Sequence, residues 1–245
     1  MGTPEFAVPS LCALVAGGYN VVGVVTAPDK PAGRGRQLRE SNVKTAAREL
    51  GLPVLQPERL KAPEFVGALR ALRPDLGIVI AFRMLPEVVW AMPRLGTFNL
   101  HASLLPQYRG AAPINWAIIN GERETGVTTF LLNHEIDKGA ILAQTRLPIL
   151  PQDNAGTLYE KLMTAGVALV TRTVERIAAG DIAPVEQQYA DEATLRPAPK
   201  IFKEDCRIDW TLPGRRIVDF IRGLAPYPAA WSDLIREEGD RKDGT

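Results

Sequence analysis

Short apolar runs alternate with segments of helical periodicity over the first part of the chain. Residues 21–26 and 76–81 are rich in β-branched and aliphatic side chains, as in parallel strands that are covered on both faces. Apolar residues at helical spacing occupy residues 9–16, 43–50 and 63–72. Because strands and helices alternate, the pattern predicts an α/β fold built on a doubly wound, mostly parallel sheet.

The same alternation continues through the middle of the chain. Residues 97–101 and 127–132 are further predicted strands, and a helix is predicted over residues 111–120. Residues 157–178 carry apolar side chains at the spacing of one face of a long amphipathic helix, and Gly180 ends it. The predicted sheet therefore extends to about residue 180.

The pattern changes after residue 180. Residues 181–203 have no clear periodicity and are interrupted by three prolines, Pro184, Pro197 and Pro199, as in a linker. Residues 204–245 begin a new unit, with a helix predicted over residues 214–223. Since about forty residues rarely fold alone, we expect a first domain over 1–180, a linker and an incomplete C-terminal domain.

Composition narrows the class of protein. The 245 residues are 46% hydrophobic, with a net charge of +1, so no overall field attracts nucleic acid. Two cysteines and two histidines form no zinc-ligand spacing, and no apolar run approaches the roughly 20 residues of a membrane span. We therefore expect a cytoplasmic monomer without a metal or a membrane anchor.

The first candidate catalytic residues lie at the end of the strand predicted over residues 97–101. Strand side chains alternate between faces, so Asn99 and His101 should point the same way. An asparagine and a protonated imidazole can both donate to a developing oxyanion. The alternative is that His101 is a hydrogen-bonded strand residue without a chemical role.

A carboxylate follows the strand predicted over 127–132. Asp137 lies in the loop after that strand, where it could approach an imidazole. Alternatively, Asp137 and Gly139 simply form a turn. His134 and Glu135 compete for any role in this loop, and strand alternation does not choose among the three.

A basic loop lies early in the chain. Gly33 and Gly35 flank Arg34, and four cations stand against the single acid Asp29: Lys30, Arg34, Arg36 and Arg39. Such a cluster suits a phosphate backbone, although short charged runs are usually solvated. No aromatic residue interleaves with it, so base stacking is not indicated.

Two segments together resemble a known family. Residues 99–101 (Asn-Leu-His) and 103–113 (Ser-Leu-Leu-Pro-Gln-Tyr-Arg-Gly-Ala-Ala-Pro) resemble the signature of the 10-formyltetrahydrofolate-dependent formyltransferases, and Asp137 is similar to their catalytic aspartate. The resemblance implies Asn99, His101 and Asp137 as catalytic residues and 10-formyltetrahydrofolate as formyl donor. It also implies a folate site at Ala81, Phe82, Arg83, Met84, Leu85, Ser103, Leu104, Leu105 and Pro106.

Three other segments favour one branch of this family. Residues 1–7, 29–35 and 207–210 are similar to the enzymes that formylate the methionine of initiator methionyl-tRNA for translation initiation. This resemblance implies tRNA contacts at Lys30, Arg34, Arg36 and Arg39. It also implies a Rossmann-like catalytic domain over 1–180 that lacks the family's first strand, followed by the start of a β-barrel domain.

Two alternatives stay open at this point. A sugar-nucleotide formyltransferase would share the three catalytic residues without needing the basic loop. A folate-binding or tRNA-binding fragment with impaired or no turnover is the other alternative, because a shortened sheet and an incomplete second domain leave strand edges uncovered.

Overall fold

A computed structural model describes residues 1–32, 37–189 and 191–234. Its helices are α1 (Val8–Ala16), α2 (Asn42–Glu49), α3 (Pro63–Ala71), α4 (Glu87–Trp90), α5 (Pro113–Ile119), α6 (Ala155–Ala178) and α7 (Gly214–Leu224). Its strands are β1 (Val24–Val25), β2 (Lys30–Ala32), β3 (Gln37–Arg39), β4 (Val54–Leu55), β5 (Gly77–Ile80), β6 (Thr97–His101), β7 (Glu124–Leu131) and β8 (Ile141–Pro148). Most predicted elements are present within a few residues of their expected bounds.

The sheet is parallel in one half and antiparallel in the other. Strands β5, β6, β7 and β8 are neighbours in that order; β5 and β6 run parallel, whereas β7 is antiparallel to both β6 and β8. The parallel pair β1 and β4 approaches β5 through Gly2, which bridges Ile80 and donates its N–H to Val25. The α/β prediction is confirmed, with a mixed sheet in place of a mostly parallel one.

Connection length explains the antiparallel pairing of β7 with β8. Residues 132–140 join β7 to β8, which is shorter than the roughly dozen residues that a parallel crossover needs. These two strands therefore form a hairpin. The strand predicted over 21–26 is also shorter than expected, because β1 pairs only with the two-residue strand β4.

Helix α6 packs against the face of β6 that carries Leu100. Its apolar face is buried, and its N-terminus is closed by a reciprocal capping box between Asn154 and Thr157. At Gly166 the helix comes so close to the sheet that a Cβ atom would lie 2.8 Å from Leu100 Cδ2. Since Leu100 stands between Asn99 and His101, this contact leaves those two side chains for the opposite face.

The segment after α6 crosses back over the sheet. Val185 forms an antiparallel bridge with Ile141, and Ala198, which is fully buried, forms a parallel bridge with Gly110. Helix α7 then packs against α5. Among the helices that the structure describes, none combines the length and apolarity needed to cross a bilayer.

Candidate functional site

The imidazole of His101 is buried at the end of β6, where it is 7% exposed. Its Nε2 lies 2.8 Å from the carbonyl oxygen of Tyr108. Since a carbonyl only accepts, Nε2 carries the proton and donates. The other ring nitrogen, Nδ1, is thereby left for a partner on the opposite side of the ring.

Asp137 lies on the Nδ1 side of the His101 ring. Its carboxylate Oδ2 lies 4.0 Å from His101 Nδ1 and accepts a hydrogen bond of 3.0 Å from the backbone N–H of Gly110. A separation of 4.0 Å exceeds a hydrogen bond. Tyr108, and not Asp137, therefore makes the hydrogen bond that orients the ring, while Asp137 Oδ2 and His101 Nδ1 stay close enough for one polar group beside them to contact both.

Asn99 lies two residues before His101 on the same strand. Its Oδ1 is buried and has no hydrogen-bond partner among the residues that the structure describes. Leaving such an atom unpaired costs about 1–3 kcal/mol, so native proteins rarely retain one without a reason. An unpaired amide beside His101 fits a site that a bound molecule completes.

The loop after β6 is held by polar side chains from the neighbouring strands. Thr128 Oγ1 donates to the Ser103 carbonyl at 2.7 Å and accepts from the Leu105 N–H at 3.2 Å, and Gln144 Nε2 donates to the Leu105 carbonyl at 2.9 Å. The side chains of Ser103 and Leu105 are buried, and the Ser103 hydroxyl donates to Gln107. These residues support the loop, and their contact with folate stays a prediction, as it does for Leu104 and Pro106.

The other predicted folate segment follows β5. Because β5 and β6 are parallel neighbours, Ala81–Leu85 leaves the sheet at the same edge as His101. Arg83 donates to the carbonyls of Pro57 and Glu58, and its guanidinium lies 5.6 Å from the Phe82 ring centre. Met84 is 71% exposed, whereas Leu85 is buried.

The other two polar candidates in the loop lie away from His101. The imidazole of His134 is 72% exposed, 3.7 Å from a Glu87 oxygen, and Glu135 pairs with Lys138 at 3.1 Å. Of the three competing residues, Asp137 is the one beside His101.

The groups that hold His101 and Asp137 in place could not be identified from the sequence. The Tyr108 carbonyl and the Gly110 N–H are backbone atoms, which no residue pattern reveals. The glycine at position 110 was a partial signal of an unusual backbone conformation. Its φ of +126° lies in the region that favours glycine. Arg109 lies in the signature over residues 103–113 but received no role, and Gln187, which it binds at 2.7 Å beside the Asp137 loop, gave no signal.

The basic loop is only partly described. Lys30 and Arg39 are exposed and face each other across the β2–β3 hairpin, whereas Arg34 and Arg36 lie outside the described residues. Asp29 binds Lys44 at 2.5 Å, and the hydrogen bond from Lys44 holds the pKa of that carboxyl below its usual value. The one local acid is therefore occupied by a residue outside the loop.

Metal ligands do not cluster in the described part of the chain. No group of three or more histidine, cysteine, aspartate or glutamate side chains there could hold a metal ion.

Two family profiles match the chain. The profile described as "Formyl transferase" covers residues 1–174, and the one described as "Formyl transferase, C-terminal domain" covers residues 200–241.

Bacterial proteins match almost all of the chain. The methionyl-tRNA formyltransferase of Parabacteroides distasonis is 65% identical over 244 residues, which cover 98% of this chain and 75% of that protein. The methionyl-tRNA formyltransferase of Porphyromonas gingivalis (strain W83) is 54% identical, covering 96% of this chain and 73% of that protein.

Solved structures share the fold. An N-formyltransferase of Helicobacter canadensis, in complex with folinic acid and dTDP-3-aminofucose, superposes with a TM-score of 0.65 at 21% identity, covering 91% of this chain and 78% of that one. HypX of Aquifex aeolicus, in complex with tetrahydrofolic acid, gives 0.61 at 25% identity, covering 76% and 32%. With the family profile spanning residues 1–174, these matches establish that the chain belongs to the formyl transferase family.

Proposed function

We propose that the protein transfers the formyl group of 10-formyltetrahydrofolate to the α-amino group of methionine on initiator methionyl-tRNA, in the cytoplasm, at translation initiation. The approach of His101 Nδ1 to within 4.0 Å of Asp137 Oδ2, on the strand that also holds the unpaired Oδ1 of Asn99, is the observation that carries the chemistry. The relatives named methionyl-tRNA formyltransferase support the choice of acceptor.

The reaction exchanges one C–N bond for another. The methionine amine forms a bond to the formyl carbon, the bond from that carbon to N10 of the folate breaks, and the proton lost by the amine balances the one gained at N10. Negative charge grows on the formyl oxygen in between. Asn99, through its Nδ2, and the protonated Nδ1 of His101 would donate hydrogen bonds to that oxygen.

Asp137 acts on the amine side. Its Oδ2 is held by the Gly110 N–H, so the carboxylate keeps its position while it accepts a proton from the amine, directly or through water. The hydrogen bond to Tyr108 keeps His101 Nδ1 directed toward the same carboxylate. Neither step forms a covalent acyl-enzyme.

The folate would lie along residues 81–85 and 103–106. Both segments leave parallel strands at the sheet edge that holds His101, the usual ligand position in open α/β sheets. The orphaned Asn99 Oδ1 fits this arrangement, because a bound molecule would satisfy it. The residues present at this edge therefore suit a formyl donor.

The tRNA would contact Lys30, Arg34, Arg36 and Arg39. Lys30 and Arg39 are exposed on opposite strands of the β2–β3 hairpin, and Asp29 is occupied by Lys44. Two exposed cations on facing strands suit a phosphate backbone. We assign residues 1–180 to the catalytic domain, 181–203 to the linker and 204–245 to the C-terminal domain.

Formylation of two acceptors by the purified chain tests this proposal. With 10-formyltetrahydrofolate as donor, we expect initiator methionyl-tRNA to be formylated and a dTDP-amino sugar to be left unchanged. Formylation of the sugar alone would assign the protein to the sugar-nucleotide branch. Binding of folate or tRNA with no transfer to either acceptor would identify a binding fragment instead.

A further inference from the structure

Gln187 lies in the segment predicted as a linker, yet its side chain contacts the catalytic loop. Its Nε2 donates to the backbone carbonyl of Asp137 at 2.8 Å and to that of Gly139 at 2.9 Å. One amide group therefore holds the peptide units that follow Asp137 and Gly139. The distance in sequence is large, so this contact is made by the fold and not by local turn geometry.

The opposite end of the same amide is held by Arg109. Gln187 Oε1 accepts from Arg109 Nη2 at 2.7 Å and from Nε at 3.2 Å. The Arg109 side chain is only 13% exposed, and its guanidinium lies 5.1 Å from the Tyr189 ring centre. Since a guanidinium only donates and a carbonyl only accepts, the amide fits in one orientation.

The Asp137 loop needs such support. Asp137 adopts a φ of +54°, in the left-handed region that costs a non-glycine residue roughly 1–2 kcal/mol. Two residues later, Gly139 passes so close to the Leu131 carbonyl that any Cβ atom would clash with it. A conformation of this kind persists only where its surroundings hold it.

The segment that carries Gln187 is itself anchored. Val185 exchanges two backbone hydrogen bonds with Ile141, at 2.8 and 2.9 Å, just after the loop. Arg109 is the residue next to Gly110, whose N–H binds the Asp137 carboxylate. Gln187 thus connects the two loops that meet where Gly110 binds Asp137.

We propose that Gln187 is a positioning residue for formyl transfer, which fixes the Asp137 carboxylate through the backbone of its loop and is itself fixed by Arg109. This role rests on the proposed function of the site. It makes the segment after α6 part of the active-site support, so that transfer requires the segment to be docked.

Three variants in the purified chain test the role. Q187A removes all the bonds of the amide. Q187E keeps an acceptor for Arg109 but sets a carboxylate oxygen against the carbonyls of Asp137 and Gly139. Q188A is the matched control, because the neighbouring glutamine is exposed and no hydrogen bond of its side chain is found among the described residues.

The kinetic readout separates positioning from folding. A misplacement of about 1 Å can cost on the order of 100-fold, so we expect kcat of Q187A and Q187E to fall roughly 10-fold to 100-fold, with KM for both substrates within about threefold of wild type. Q188A should match wild type. A kcat for Q187A within about twofold of wild type, or an equal loss in Q188A, overturns the proposal.

Amide hydrogen exchange followed by mass spectrometry provides a readout that does not depend on activity. The Gly110 N–H is protected by the Asp137 carboxylate, so Q187A should speed exchange of the peptide containing Gly110 about tenfold or more, and Q188A should not. Unchanged exchange in Q187A overturns the positioning role. An inactive wild-type protein would instead overturn the proposed function, while the exchange comparison still decides the role of Gln187.

Discussion

The Nε2 atom of His101 donates a hydrogen bond to the backbone carbonyl of Tyr108, 2.8 Å away. Tyr108 has a φ of +60°, and its own N–H is bound by the carbonyl of Arg196 from the segment after α6. The backbone of the loop after β6 therefore orients the imidazole. The segment that carries Arg196 in turn holds that loop backbone in place. Asp137 lies beside His101 as expected, with its Oδ2 4.0 Å from Nδ1, which is ion-pair distance but too long for a hydrogen bond.

The loop backbone should tolerate no side chain at Gly110. A Cβ atom there would meet the Ala198 carbonyl, and the φ of +126° disfavours any other residue. We expect Gly110→Ala to lower the melting temperature and the rate of formylation together. Gly67→Ala is the control: Gly67 lies in helix α3 with open space around it, so alanine should stabilise the protein by about 0.4–1 kcal/mol. Equal melting temperatures for the two variants would contradict this account of Gly110.

Asn99 should show a conflict between stability and activity. The Oδ1 atom of Asn99 is buried without a partner among the described residues, which costs about 1–3 kcal/mol, so Asn99→Leu should raise the free energy of unfolding in urea. The same change should lower kcat by about 10²-fold to 10³-fold, because one oxyanion donor is removed. A variant that keeps wild-type kcat would remove Asn99 from the mechanism.

Asp153 should make stability fall in acid. Burial of its carboxylate works to raise the pKa, but hydrogen bonds from Lys161 and from the Leu150 N–H outweigh burial and leave the pKa below its usual value. Because the folded-state pKa is depressed, the carboxylate stabilises the fold above its unfolded pKa of about 3.9, and the contribution is lost as the pH falls through the folded-state pKa.

Urea unfolding of Asp153→Asn checks this sign. At pH 7 the variant should be less stable than wild type by about 1–3 kcal/mol, and the difference should shrink below about pH 4. Asp75→Asn is the control, because Asp75 is 71% exposed in its pair with Arg94 and should change stability by less than about 1 kcal/mol. A difference that is constant with pH would contradict the account of Asp153.

The hairpin cations should determine how salt weakens tRNA binding. Lys30→Ala and Arg39→Ala should each weaken binding and flatten the plot of log affinity against log salt, by about one unit for each phosphate that the variant no longer neutralises. Arg34→Ala should behave in the same way. Titration of labelled tRNA at several salt concentrations measures the slope, and Arg94→Ala serves as a control on another part of the surface. Slopes equal to wild type would mean that these cations are merely solvated.

The elements that bury apolar residues were predictable from sequence, because burial imposes a period. The predicted strand 97–101 coincides with β6, and the predicted helix 157–178 differs from α6 only at its start. Strand direction was not predictable in the same way. The antiparallel pairing of β7 with β8 follows from their short connection, whose ends the pattern did not fix closely, whereas the long connection between β6 and β7 permits either direction.

Side-chain candidates of the site were visible in sequence, and their supports were not. Asn99 and His101 share a strand face, so alternation alone paired them. Asp137 could not be chosen over His134 by the same rule, because loops have no such period. Gln187 lies in a stretch without periodicity, and its contact with the Asp137 loop depends on where the chain returns across the sheet.

The rate of formyl transfer by His101→Ala tests the central claim most directly. Under single-turnover conditions, with 10-formyltetrahydrofolate and initiator methionyl-tRNA, we expect the rate to fall by about 10²-fold to 10³-fold relative to wild type. His134→Ala removes the exposed histidine beside Glu87 and should keep a rate within about threefold of wild type. Undiminished transfer by His101→Ala would contradict the account, since the pair of His101 and Asp137 would then not be the site of the reaction.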